Sequence, residues 1–163
     1  MRMQHKTVLA LFLIGAAMPG APVFAGESLK VAEARVIATV PGQTVAAAYM
    51  TLSSPEDARV VAAESEAAES VQFHAMSVQG GVMRMRRLEA LDLPARRVVR
   101  LAPGGTHLML AGLLRSPLRA GDTVTLRLRV SYAAGTSRTV SLSLPVVDIR
   151  DATAHDLGRP LQP

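Results

Sequence analysis

Thr123-Val-Thr-Leu-Arg-Leu-Arg-Val130 alternates without a break. Val124, Leu126, Leu128 and Val130 fall on one face and Thr125, Arg127 and Arg129 on the other, which is the period-two signature of a strand with one buried side. Thr139-Val-Ser-Leu-Ser-Leu144 repeats the pattern, Pro145 is expected to end it, and Ala133-Ala-Gly-Thr-Ser137 reads as the hairpin connection between the two. The same alternation extends upstream. Leu29 to Val40 and Thr44 to Leu52 read as strands joined around Pro41-Gly42-Gln43, and Ser53-Ser-Pro-Glu-Asp57 is a polar loop. Val71 to Val78, Val82 to Leu88, Val98 to Leu101 and Thr106 to Leu113 supply four more, with turns at Gln79-Gly-Gly81 and Ala102-Pro-Gly-Gly105. Arg59 to Ser70 is rich in Ala and Glu and favours helix by propensity. Its strand-like flanks favour a strand followed by a loop. About eight short strands at this spacing predict an all-β fold, an antiparallel β-sandwich or small barrel.

The first 25 residues read as an export signal. Arg2 and Lys6 make a basic start, Thr7 to Ala17 is an apolar run of 11, and Val23-Phe24-Ala25 offers a small-residue cleavage site. Eleven apolar residues are too few to span a bilayer. Cleavage after Ala25 leaves 163 − 25 = 138 residues, enough for one core. The expected division is a signal peptide over 1–25, a β-sandwich domain over 26–147 and a C-terminal tail over 148–163, the last lacking periodicity. A monomer exported to the periplasm, with no stable membrane insertion, is the expectation. The mature charge is 16 − 13 = +3, and the charge is scattered among few aromatics, which argues against a nucleic-acid partner.

Soft-donor side chains are concentrated in the middle of the chain. Four of five mature Met and two of three mature His lie between residues 74 and 109, as the period-two pairs His74/Met76, Met83/Met85 and His107/Met109. Within them His74, Met85, His107 and Met109 keep the order H-x10-M-x21-H-x-M. Thioether sulfur suits Cu(I), and neutral imidazole accepts either copper oxidation state, so two of each select Cu(I) by softness. The chain has no Cys. That absence suits an oxidising compartment, where paired thiols become disulfides, and it leaves no lipid-attachment residue.

Residues i and i+2 of a strand share a face, roughly 6.6 Å apart. If Gly80-Gly81 form a two-residue turn, Met76 faces Met85, Val78 faces Met83, and His74, Met76, Met83 and Met85 share one face. A three-residue loop sets Met85 opposite Ala75 and turns it away from His74. Arg84 and Arg86 point away from the Met face in the first register, and with Arg87 they serve either as a solvated face or as a dock for an acidic partner.

Val71-Gln-Phe-His-Ala-Met-Ser-Val-Gln-Gly-Gly-Val-Met-Arg-Met85, with Leu101-Ala-Pro-Gly-Gly-Thr-His-Leu-Met-Leu-Ala-Gly-Leu113 and Leu118-Arg-Ala-Gly-Asp122, resembles the PCu(A)C family of periplasmic copper chaperones. The resemblance covers roughly residues 29 to 145. It implies a cupredoxin-like β-sandwich that binds one Cu(I) through His74, Met85, His107 and Met109. It also implies delivery to the dinuclear copper centre of cytochrome c oxidase subunit two, with that subunit or a Sco-type assembly protein as acceptor. Met76 and Met83 are expected to line or shield the site. The family's usual aromatic is replaced by Ala34 and its Asn-Gly-like turn by Ser53-Ser54-Pro55, which bears on core packing and loop shape rather than on the metal. An electron-transfer cupredoxin needs a Cys thiolate, and no nucleophile or paired-carboxylate arrangement singles out an enzyme. A copper-tolerance or storage protein, or a metal-free β-sandwich interaction domain, remains the alternative.

Overall fold

A computed structural model describes residues 29–114 and 116–150. The export signal expected over 1–25 lies outside the described residues, as does all but the first three residues of the tail expected over 148–163. Ten strands are formed among the described residues: β1 (Lys30–Ile37), β2 (Val45–Ser53), β3 (Ala58–Ser65), β4 (Ala68–Gln79), β5 (Val82–Leu88), β6 (Leu91–Leu93), β7 (Val98–Leu101), β8 (Thr106–Leu113), β9 (Thr123–Tyr132) and β10 (Ser137–Val147). The path runs β5-β4-β8-β2-β1-β10-β9-β3-β6, with β7 also on β2. The strand β1 meets β10 only at Val36↔Val146 and Ile37↔Val147, in parallel, whereas the other pairings are antiparallel. One arm of the path packs over the other, and the two share a core that includes Met50, Leu108 and Leu110 from the first arm and Val60, Leu126, Leu128 and Val130 from the second. This is the β-sandwich that the alternation in Thr123–Val130 predicts, with Val124, Leu126, Leu128 and Val130 all buried.

Three details depart from the sequence reading. Residues 58–65 are strand, but the expected loop is only a turn at Glu66-Ala67, and Ala68 already opens β4. Pairing of β3 with β9, which buries Val60 and Ala63, overrides the helical preference of this Ala/Glu segment. Pro145 does not end β10. It stands opposite Thr123, the first residue of β9, and the next residue passes to β1 while its N–H donates to Asp122 O at 2.8 Å. A residue without an N–H is tolerated where the strand changes partners. The third departure is β6, which was not anticipated; it holds only three residues and borders β3.

The replaced positions named above are accommodated locally. Ala34 packs half-buried against the core. Ser54 is buried, its carbonyl accepts the Arg96 N–H at 2.7 Å, and its hydroxyl accepts the Glu56 N–H at 3.4 Å.

Candidate metal centre

Strands β5, β4, β8 and β2 lie side by side, and their alternation sends neighbouring residues to opposite faces. Phe73 pairs with Leu108, and Leu108 with Ala48, all three in the core. One residue along each strand, His74 pairs directly with His107 on the outer face. The imidazole centroids are 5.8 Å apart. Two imidazoles sharing one ion, each nitrogen at about 2 Å, bring their centroids to roughly 5–6 Å. The spacing therefore accommodates one ion between the rings.

At Gly80-Gly81 the turn takes φ values of 58° and 78°, as a two-residue hairpin requires and as Gly accepts without strain. The register is the even one: Gln79↔Val82, Val78↔Met83, Met76↔Met85 and His74↔Arg87. His74, Met76, Met83 and Met85 thus share the outer face, and Arg84 and Arg86 point to the other. In β8, Met109 stands two residues beyond His107 on the same outer face, paired with Gln72 and Ala47. The histidine pair has Met109 at one end and Met76 and Met85 at the other. Diagonal neighbours in a sheet lie about 7–8 Å apart, within reach of long side chains such as Met. All six soft donors are therefore gathered on one face. The register brings Met76 as near to the pair as Met85, so the choice between them rests on the family resemblance.

Although they face outward, His74 is only 9% exposed and His107 only 6%. Tyr49 of β2 covers His107, with centroids 6.4 Å apart, and the Arg35 guanidinium lies 5.6 Å from the Tyr49 ring centroid. Each imidazole has one nitrogen committed. His107 Nδ1 donates to Gly105 O at 3.2 Å, which leaves Nε2 with its lone pair. Gln72 Nε2 donates to Ser70 Oγ at 3.3 Å, which turns Gln72 Oε1 toward His74 Nε2 at 3.1 Å as an acceptor. The proton of His74 then sits on Nε2. Nδ1 keeps its lone pair, buried and without a hydrogen-bond partner. Metal-binding histidines characteristically donate their second N–H to a carbonyl or side-chain oxygen in this way. An unmatched buried acceptor costs about 1–3 kcal/mol unless something binds it.

Burial lowers the His74 pKa from its ordinary value of 6.5, helped by the charge of neighbouring His107 and by Arg87. Neutral imidazole, the ligating form, is favoured. Among the described residues no three His, Asp or Glu side chains converge as a metal site, and the further soft donors on the face of the histidine pair are thioethers. Sequence reading had not singled out Gln72 or Tyr49. Gln72 carried a signal, being two residues from His74 on the same strand face, whereas Tyr49 reaches His107 only through the β2–β8 pairing.

Known structures place this fold in a class. The copper-bound PCuAC domain from PmoF2 is 26% identical, with a TM-score of 0.60, covering 77% of this chain and 97% of that one. Apo-DR1885 from Deinococcus radiodurans is 32% identical with a TM-score of 0.56, covering 90% and 95%, and its CuI form is 32% identical with a TM-score of 0.55, covering 73% and 79%. The fold is thus a β-sandwich like those of PCuAC domains. The chain belongs to the LpqE-like family, whose model, described as "Putative lipoprotein LpqE-like", matches residues 29–146. A relative from Leifsonia xyli subsp. xyli (strain CTCB07), "Putative lipoprotein Lxx21020", is 31% identical over 166 residues, covering 96% of this chain and 97% of that protein. The 163 residues here include no Cys on which a lipid could be carried. No helix among the described residues is long and apolar enough to cross a membrane.

Proposed function

We propose that the chain is an exported copper carrier whose domain, residues 26–147, holds one Cu(I) between His74, Met85, His107 and Met109. The observation that carries this reading is the buried His74 Nδ1, unpartnered beside His107 on a face rich in thioethers. The copper-bound and CuI forms of the PCuAC relatives support copper as the cargo. Two imidazoles and two thioethers are neutral and soft, so they retain Cu(I) without a thiolate and leave its positive charge uncompensated. An incoming thiolate on an acceptor displaces them one at a time. The family resemblance supports the dinuclear centre of cytochrome c oxidase subunit two as the destination, directly or through a Sco-type protein.

The role is that of a carrier rather than an enzyme. A tolerance or storage protein would use the same site, so the test is transfer. Anaerobically loaded protein, mixed with a purified subunit-two domain, is expected to give up its copper as the absorption of the dinuclear centre grows. Retention of the copper in the presence of competent acceptor rejects the delivery role.

A further inference from the structure

One Cu(I) held by four ligands does not use all the soft donors on this face. We propose that Met76, Met83 and Met85 form an outer Cu(I) site on the β4–β5 hairpin, through which the ion enters and leaves the inner one; this rests on the inner site assigned above. The hairpin overhangs the sheet. Pairing of β4 with β8 stops at Ala75, with a last tie from Met76 N–H to Gly105 O at 3.2 Å, whereas pairing with β5 continues to Gln79↔Val82. Met76 stands opposite Met85, and Met83 lies two residues from Met85 on the same face. Exposure rises along this line from the histidines to the tip: 9% at His74, 52% at Met85 and 65% at Met83.

Core packing does not explain Met83, since a side chain this exposed fills no interior gap. Simple solvation does not explain it either, because a polar residue serves that better. What a thioether adds at the tip is a soft, uncharged donor. Three of them, one shared with the inner site, allow exchange in which one Cu–S bond forms as one Cu–N or Cu–S bond breaks. Copper stays Cu(I) throughout, and no electron or proton has to move. Val78, 68% exposed and paired with Met83, extends an apolar margin around the outer site.

Met83→Leu keeps size and apolarity and removes only the sulfur, and at an exposed position it leaves folding intact. Anaerobic competition with bicinchoninate should find the tight Cu(I) affinity of this variant within about twofold of the original. Stopped-flow transfer of Cu(I) to bathocuproine disulfonate should slow about tenfold, since the exchange transition state loses a ligand. Met76→Leu should slow transfer likewise. Transfer at the original rate in both variants overturns the outer site, as does a tenfold loss of equilibrium affinity in Met83→Leu, which would make Met83 a primary ligand. Failure of the inner site shows differently: His74→Ala and His107→Ala would then bind Cu(I) as tightly as the original chain.

Discussion

The histidine pair and the methionine hairpin occupy one continuous face, yet they are built in opposite ways. His74 and His107 come from strands flanked on both sides, are almost fully buried, and have their rings set by Gln72 and by the Gly105 carbonyl. Met83 and Met85 come from the edge strand and are more than half exposed. A rigid, desolvated nitrogen pair suits retention, because its donors are paid for in advance by the fold and need no reorganisation on binding. Flexible thioethers at an edge suit exchange. On the copper sites proposed above, the contrast gives affinity to the buried end and kinetics to the exposed end.

Substitution at the buried end should break the comparison most severely. His74→Ala or His107→Ala is expected to weaken Cu(I) by at least about 100-fold in chelator competition, more than loss of an outer partner of a ligand. Unchanged affinity in both variants removes the pair from the site. Gln72→Leu, which frees His74 Nε2 from its acceptor, should weaken Cu(I) by about tenfold, and nitrogen-detected NMR should show the apo His74 ring losing its preference for the Nε2–H tautomer. A wild-type tautomer in that variant contradicts the positioning role.

Acid should act next and in one direction. Because His74 is held neutral below its ordinary 6.5, its share of Cu(I) affinity should persist below that pH and then fall as the pH drops through the lowered value. Arg87→Gln should move the onset to higher pH. The apo protein follows the same sign. Between 6.5 and the lowered folded-state value the unfolded chain binds the proton and the folded chain does not, so stability decreases as pH decreases. Urea titrations at several pH values check this, and a rise in stability on acidification across that window contradicts it.

The smallest effect is expected at Met50, only 1% exposed on the inner face of β2. Met50→Leu should leave Cu(I) affinity unchanged and cost less than about 1.5 kcal/mol in denaturant unfolding. It separates a methionine that fills the core from those on the outer face of the sheet.

Local chemistry explains which parts of the site were legible in the sequence. Two consecutive glycines between period-two runs marked the hairpin and left two registers open, and the structure takes the one that pairs Met76 with Met85. Burial of alternate residues in β9 followed equally from Val124 to Val130. The direct pairing of His74 with His107 was not legible, because no short turn links β4 to β8 and their register is set by packing across some 30 residues of intervening chain. For the same reason Tyr49, which covers His107, was invisible. Pro145 misled because its missing N–H normally ends a strand, and only the passage of β10 from β9 to β1 makes the position tolerable.

The most direct test of the central claim is X-ray absorption at the copper edge on the protein loaded anaerobically with one equivalent of Cu(I). The account predicts an edge characteristic of Cu(I), with two nitrogen and two sulfur scatterers, and loss of nitrogen scattering in His74→Ala. A first shell of nitrogen and oxygen alone, or copper that does not survive desalting, would contradict it.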